Sequence, residues 1–420
     1  MSTQHPVLCL VGAGANPPIS TGALTEDLLD WATFRDPTNA TPTTGSIGQG
    51  HSDTRETFYK WLARHLGATQ HLLGDLNFED LIHIVEMVAS DFSNPGPRNP
   101  GGSTLQGYAA DLFDPKMVSG LIANQNAAFI AAESSKQILR CVKDRREQQT
   151  GDTDAASLLK RLKADRNALL RVFSLNYETS VTDATATGWW TSYTARSDGI
   201  EEFVPHAEFP TTEDLNVQLH GSIHFGLEFA GRGSVARLRR YPNVADAETS
   251  WGIDASHDVA QDLHVLLPVP MITGRRKADM IQLEPFASYF YYFRQAALST
   301  PNWLILGYGG SDPHVNSILA SAAEKWGDEL RVAVCNFFFT GPDAKSSRLY
   351  LTRDRQDAAG KSYQVLNPFK DDYYAFFTIR NAITSFIWRC CGSKFGRVLL
   401  TSDGRYTSNF DKLCYWLRLP

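Results

Sequence analysis

Four short segments carry the residues of this sequence that could do chemistry, and each follows directly on an apolar run. They read G-A-G-A-N at 12–16, S-L-N-Y-E at 174–178, L-H-G-S at 219–222 and G-Y-G-G-S-D at 307–312. The preceding runs, at 7–11, 170–173, 215–219 and 303–306, are typical of strands buried on both faces of a parallel sheet. Because ligands bind at the carboxyl ends of such strands, the pattern predicts that all four segments meet in one crevice.

The first glycine loop suits the close approach of a phosphate group. Gly12, Ala13 and Gly14 stand between a predicted strand and a predicted helix, where backbone N–H groups and the helix dipole favour negative charge. Asn16 follows them. A dinucleotide fingerprint would have a third glycine where this chain has Pro17, so a tight turn without a ligand stays an open alternative.

The second glycine loop offers groups for ribose hydroxyls. Gly307 provides flexibility, and Ser311 and Asp312 can hydrogen-bond to a sugar; Asn336, on a predicted fifth strand, is a further candidate. Two alternatives are open here. Asp312 is equally suited to cap a helix that begins at the following proline. Asn336 could equally be a buried strand residue.

Asn176 and His220 are the candidate catalytic residues. An Asn just beyond a strand can orient a water molecule or a ribose hydroxyl, and a His between a strand and a glycine faces a crevice, where it can act as a base. The alternatives are an Asn that caps a turn and a His that bonds to nearby backbone. His224 is a poor metal partner for His220, because the glycine between them disfavours a shared helical face.

Composition narrows the function classes. The 420 residues carry a formal charge of −6, with no basic field for nucleic acid, no signal peptide and no apolar stretch long enough for a membrane span. The six cysteines form no C-x-x-C pair. We therefore expect a cytoplasmic protein without a metal site and without a direct nucleic-acid or membrane partner.

The element pattern predicts an α/β protein with a Rossmann-like parallel sheet in a domain at 1–340, with a large helical insertion at about 53–168. Helices are expected at 121–141, 155–170, 285–297 and 314–325, and a fifth strand at 331–339. The stretches 182–212 and 232–262 read as irregular connections. A C-terminal extension at 341–420, with strands near 362–366 and 397–400 and an aromatic helix at about 373–388, could serve assembly.

In their order along the chain, the four segments resemble the motifs of the sirtuin family: a G-A-G loop, a T-x-N-x-D element, an L-H-G element and a late G-x-S loop. The resemblance covers about residues 7–340. It implies that Asn176 and His220 are the catalytic pair and that the glycine loops hold NAD. It also implies that Ser311 and Asn336 contact ribose.

The departures from the family point to a particular branch. The two C-x-x-C pairs of the protein deacylases are absent, and Glu178 stands where they have Asp. The sequence is similar instead to zinc-free sirtuin-like NAD hydrolases of bacterial antiphage defence, some of which work with a HerA-type ATPase. This likeness implies NAD as the substrate, no metal, release of nicotinamide and ADP-ribose, and a homo-oligomer with such an ATPase as partner. A protein deacylase or ADP-ribosyltransferase, and a non-catalytic nucleotide-binding subunit, stay open as alternatives.

Overall fold

A computed structural model gives the fold of the chain. It describes residues 5–16, 19, 24, 78–79, 82–83, 126–181, 192–205, 209–228, 237–251, 270–273, 277–308, 310, 312–335, 349–350, 353–356, 362–365, 397–401 and 410–419. The predicted helix at 373–388 lies outside these residues. The helices are α1 (Asn126–Gln148), α2 (Asp154–Arg166), α3 (Val244–Glu248), α4 (Lys277–Met280), α5 (Phe286–Ser299), α6 (Pro313–Trp326) and α7 (Phe410–Trp416).

The main sheet confirms the predicted α/β fold. Its strands are β1 (His5–Val11), β2 (Ala168–Ser174), β5 (Leu215–Gln218), β8 (Asn302–Leu306), β9 (Arg331–Cys335), β10 (Leu349–Tyr350) and β13 (Arg397–Thr401). Their order is β10-β13-β9-β8-β1-β2-β5, and every neighbouring pair is parallel except β10 with β13. Numbered along the chain, the six parallel strands have the 3-2-1-4-5-6 order of a Rossmann sheet. The strand order reverses between β1 and β8.

The sixth parallel strand, β13, comes from beyond residue 340 and pairs with β9. The main sheet therefore continues past the boundary that the sequence suggests for the catalytic domain. Helix α7 also packs against it, with Leu413 and Leu417 in the core that covers one sheet face. A role of the C-terminal residues in assembly stays a prediction.

Helices cover both faces of the sheet and bury its apolar side chains. On one face, Leu158 and Leu162 of α2 pack with α7 against β1 and β2. On the other face, Phe293 of α5 packs edge-on against Phe173 of β2, with ring centroids 5.1 Å apart, and Leu319 of α6 joins the same core. Two-sided burial explains why the strands appear in the sequence as continuous apolar runs.

Capping residues set the helix ends that frame the site. Thr153 accepts a hydrogen bond from Ala156 N at the start of α2, and Asn167, with φ of 48°, ends it. The predicted helix at 155–170 is thus too long, because the left-handed Asn167 turns the chain into β2. Asp312 caps α6 and Pro313 occupies its first turn, as the sequence predicts for the helix at 314–325.

A second, antiparallel sheet takes three of its four strands from the two stretches expected to be irregular. Its strands, in the order β3-β4-β7-β6, are β3 (Tyr193–Ala195), β4 (Glu201–Phe203), β6 (Phe225–Glu228) and β7 (Arg237–Arg240). The expectation of irregular structure is wrong at β3, β4 and β7 because strands of three or four residues are too short to show a clear alternation of apolar and polar residues. Arg239 bridges them instead, 2.8 Å from Glu202 and 2.7 Å from Glu228. A small hairpin, β11 (Arg353–Gln356) and β12 (Ser362–Val365), forms a separate two-stranded sheet. Within the described ranges, no helix is both long and apolar enough to cross a membrane.

Candidate functional site

The structure brings the four predicted segments together. Strands β5, β2, β1 and β8 are parallel neighbours, so the segments that follow them share one edge of the sheet. Backbone hydrogen bonds continue beyond the strands, from Leu175 N to Val11 O and from Leu219 N to Ser174 O, both at 2.8 Å. The first glycine loop lies against the second, at the point where the strand order reverses. Ligands of open parallel sheets bind at this point.

The two glycine loops pack backbone against backbone. Gly12 N donates to Leu306 O at 2.8 Å and Gly14 N donates to Gly307 O at 2.9 Å. A Cβ on Gly307, whose φ is +62°, would lie 1.9 Å from Ala15 N, and a Cβ on Gly12 would lie 2.7 Å from Gly307 O. Both glycines are therefore required by the fold, whether or not a phosphate binds there.

The first loop has fewer groups to offer a ligand than its sequence suggests. It forms a short 3₁₀ turn, Ala13–Ala15. Within 12–15, Ala13 has the one backbone N–H without a hydrogen bond to the described residues. The buried Asn16 side chain exchanges amide hydrogen bonds with Gln149, at 3.2 and 2.5 Å, beyond the end of α1. The predicted phosphate contacts of this loop stay predictions.

His220 is buried and joined to the second glycine loop. Its Nε2 lies 2.9 Å from Oδ2 of Asp312. Its backbone is fixed on the other side, because Ile272 N donates to His220 O at 2.7 Å. Gly221, with φ of +101°, allows this contact, since a Cβ there would lie 2.4 Å from Pro270 O. His220 is thus a rigidly held side chain, as a catalytic group needs to be.

Asp312 is the centre of a buried charged cluster. Its Oδ2 also lies 2.8 Å from Lys277 Nζ, while Oδ1 accepts hydrogen bonds from His314 N and Val315 N at 2.9 and 3.2 Å. Burial raises the pKa of Asp312, but the hydrogen bond with His220 and the nearby positive charge of Lys277 outweigh burial and hold this pKa well below its usual range. Asp312 is therefore ionised, and its predicted contact with ribose stays a prediction.

The surroundings of His220 favour its neutral form. Burial lowers the pKa of His220, and the positive charge of Lys277 lowers it further, against the opposing effect of Asp312. A histidine that is neutral near pH 7 can take up a proton during a reaction.

Asn176 carries a polar atom that has no partner among the described residues. Its Nδ2 donates to Glu178 Oε1 at 3.2 Å, whereas its buried Oδ1 has no hydrogen bond within the described part of the chain. The opposite amide orientation would place two oxygens against each other, so the contact with Glu178 fixes Oδ1 as the open acceptor. A buried acceptor left unsatisfied costs about 1–3 kcal/mol, which a bound hydroxyl or water can recover.

Backbone and side-chain bonds tie the Asn176 segment to the His220 segment. Tyr177 O accepts from Ile223 N at 3.0 Å, and the Tyr177 hydroxyl donates to Ile272 O at 3.1 Å. Gln218 Nε2 donates to Glu178 O at 3.0 Å. The two candidate catalytic residues therefore stand on adjacent, cross-linked loops.

Sequence reasoning missed three residues of the site. In the sequence, Lys277 belongs to a short basic run at 275–277 that does not indicate a site. Its contact with Asp312 depends on the tertiary fold. Tyr308 and Asn316 hold the second glycine loop: the Tyr308 hydroxyl donates to Asn316 Oδ1 at 2.8 Å, and Asn316 Nδ2 donates to Gly310 O at 2.7 Å. The sequence could have indicated Asn316, because this residue lies one helical turn after the capping residue Asp312 and therefore on the same side of the helix.

Ser311 and Asn336 lie outside the described residues, and their ribose contacts stay predictions. The part of the chain that the structure describes contains no group of three or more His, Cys, Asp or Glu side chains placed to hold a metal. No protein-family model matches this chain, and no curated protein shows significant sequence similarity to it.

Proposed function

We propose that this protein is an NAD glycohydrolase that cleaves the bond between nicotinamide and ribose. The observation that carries the proposal is the pairing, on adjacent strand-end loops, of a buried neutral His220 with the unpartnered Oδ1 of Asn176. One group can accept a proton and the other can accept a hydrogen bond. Both stand where a Rossmann sheet binds dinucleotides.

The chemistry needs no strong acid. The nicotinamide of NAD is cationic, so the glycosidic bond breaks with its electron pair going to the ring nitrogen and leaves an oxocarbenium-like ribose. Water then adds to the anomeric carbon and gives up a proton. His220 takes that proton, and Asn176 Oδ1 orients the water or a ribose hydroxyl by accepting its hydrogen bond.

The biological setting is part of the proposal and rests on the resemblance to sirtuin-like defence enzymes. In that setting the protein depletes cytoplasmic NAD during antiphage defence, as a homo-oligomer that works with a HerA-type ATPase. Such an enzyme would be held inactive until it is triggered. Activity is therefore best measured with and without a HerA-type ATPase.

The test is nicotinamide release from NAD by the purified protein. We expect His220→Asn to lower kcat by about 10²–10⁴-fold, the usual contribution of general acid–base catalysis. Asn176→Ala should lower kcat by about 10²-fold, because the water or ribose hydroxyl loses its orienting group. The matched control is His224→Asn, because His224 Nδ1 bonds to Tyr241 O at 2.9 Å in a structural role that an Asn amide can fill. Turnover undiminished in both site variants would contradict the assignments.

The products separate the proposal from its rivals. Free ADP-ribose is expected. Acetyl-ADP-ribose or ADP-ribosylated protein, detected by mass spectrometry, would favour a deacylase or a transferase instead. Tight ADP-ribose binding by calorimetry without turnover, with and without the ATPase, would favour a nucleotide-binding subunit.

A further inference from the structure

Three ionisable side chains, those of buried His220, buried Asp312 and partly exposed Lys277, form a connected cluster at the strand ends. His220 Nε2 and Lys277 Nζ both contact the same oxygen of Asp312, at 2.9 and 2.8 Å. Among the described residues, Glu79 is the remaining charged group near His220, and its Oε2 lies 3.7 Å from Lys277 Nζ. Asp312 and His220 are each about 5 % exposed in their side chains, so water screens their interaction weakly.

We propose that Asp312 and Lys277 are positioning residues that fix the tautomer and the charge of His220. This inference rests on the proposed function. Asp312 is held as an anion, and a carboxylate oxygen can only accept hydrogen bonds, so Nε2 of His220 must carry the proton. Nδ1 is then the basic nitrogen of His220, and it has no hydrogen bond to any described residue.

Asp312 has a second duty that makes its position rigid. Its other oxygen accepts the two N–H groups at the start of α6, and its own N–H donates to the Tyr308 hydroxyl at 3.1 Å. The carboxylate therefore cannot rotate away from His220 without uncapping the helix. The ring of His220 is oriented by a group that the fold itself holds in place.

Lys277 balances the cluster. Without the charge of Lys277, no nearby cation would oppose the effect of the Asp312 carboxylate among the described residues, and the imidazolium form of His220 would be stabilised. A protonated His220 cannot accept a proton from water. Together with burial, which lowers the pKa of His220 more, the charge of Lys277 thus favours the neutral base.

The first test is Asp312→Asn, which preserves size and capping ability. The Asn oxygen is needed by the two N–H groups of α6, so its NH₂ group faces His220 and demands an acceptor at Nε2. The proton of His220 then moves to Nδ1. Nitrogen NMR of ¹⁵N-histidine-labelled protein, with His220→Gln to assign the signal among the 11 histidines, reads the tautomer without any substrate.

We expect Nε2–H in the wild type and Nδ1–H in Asp312→Asn, together with a fall in kcat of about 10²–10⁴-fold and little change in KM. Asp165→Asn is the control, since Asp165 is an exposed carboxylate paired only with Arg161 in the described chain. An unchanged tautomer in Asp312→Asn overturns the inference. If Nε2–H is found but the wild type releases no nicotinamide either with or without a HerA-type ATPase, the proposed function fails while the assignment of the His220 tautomer to Asp312 stands.

The second test, Lys277→Met, keeps the proposal falsifiable if Asp312→Asn does not fold. We expect the acidic limb of the kcat/KM profile to shift to higher pH, with activity at high pH retained, and the NMR titration of His220 to shift in the same direction. A lysine with a merely structural role would lower activity equally at every pH. That result, or an unshifted titration, overturns the role of Lys277. Lys160→Met, at an exposed pair with Asp152, is the matched control.

Discussion

The two halves of the site are built in opposite ways. In the half formed by the glycine loops after β1 and β8, backbone contacts backbone, and Gly12, Gly14 and Gly307 satisfy one another or neighbouring strands. In the half formed after β2 and β5, side chains dominate: His220 reaches across to ionised Asp312 of the second glycine loop, and Asn176 has an oxygen without a partner among the described residues. The difference teaches that a glycine motif at a strand end indicates close backbone packing first, whereas a buried polar atom without a partner among the described residues needs its own explanation, such as a bound ligand or water.

The glycine half should break by steric clash. In Gly307→Ala the new Cβ meets the backbone of residues 14 and 15, which cannot yield as a flexible side chain would. We expect the free energy of unfolding to fall by on the order of 4 kcal/mol, measured by urea denaturation. Gly151→Ala is the control: its φ of +83° is also left-handed but nothing lies within 4 Å, so it should cost only about 1–2 kcal/mol. Equal losses in the two variants would mean that the loops are not locked together.

The polar half should break by electrostatics. Asn176→Asp replaces a donated hydrogen bond with two carboxylates in contact, at a buried position beside Glu178. We expect a loss of about 2 kcal/mol at pH 8 that shrinks toward pH 5, because one carboxyl can then be protonated. Urea denaturation at both pH values measures it.

The control for this change is a pair of an Asn and an acidic residue that is exposed to solvent. Asn243 Nδ2 donates to Asp246 at an exposed site, and Asp caps a helix as well as Asn does. Asn243→Asp should therefore change stability by less than about 0.5 kcal/mol, since exposed charges are screened. A similar loss at both sites would deny that the site around Asn176 is shielded from water.

The sequence predicts the parts of this molecule that local pattern determines. Runs of Val, Leu and Ile identify β1, β2, β5, β8 and β9, and the convergence of their ends follows from sheet geometry. The antiparallel sheet escapes the pattern, because its three- and four-residue strands are joined by ion pairs such as that of Arg239 with Glu228.

The candidate site divides along the same line. Asn176 and His220 can be found because each follows a recognisable strand. Only one of the two roles of Asp312 can be predicted from the sequence. Its helix cap is a local feature, whereas the contacts of Asp312 with His220 and Lys277 join distant parts of the chain. The pairing of Asn16 with Gln149 is hidden for the same reason.

Substitutions in the two halves should also differ in their effect on ligand affinity, although this effect is smaller than the stability losses above. With ADP-ribose as the probe, Asn176→Ala loses one acceptor for a hydroxyl, so we expect Kd to rise about 3–10-fold, equivalent to one hydrogen bond. Asn16→Ala should leave Kd nearly unchanged, because the Asn16 amide is already paired with Gln149. Calorimetry measures both. If Asn16→Ala weakens binding as much as Asn176→Ala does, the glycine half also binds through side chains and the contrast between the halves disappears.

The smallest expected effect is the pH dependence that His220 gives to stability. Burial and the charge of Lys277 lower the pKa of His220 in the folded protein, so the unfolded chain takes up a proton first as the pH falls through about 6.5. Stability should thus decline from about pH 7 towards the lowered pKa of His220 and then level off. Asp312, whose pKa is held low, acts in a separate window, from about pH 3.9 downwards. Urea denaturation between pH 7.5 and 5 should show a flatter profile for His220→Gln than for the wild type, with His5→Gln as the control for loss of one histidine. A profile as steep as that of the wild type would mean that folding does not lower the pKa of His220, so burial and Lys277 would not favour the neutral base.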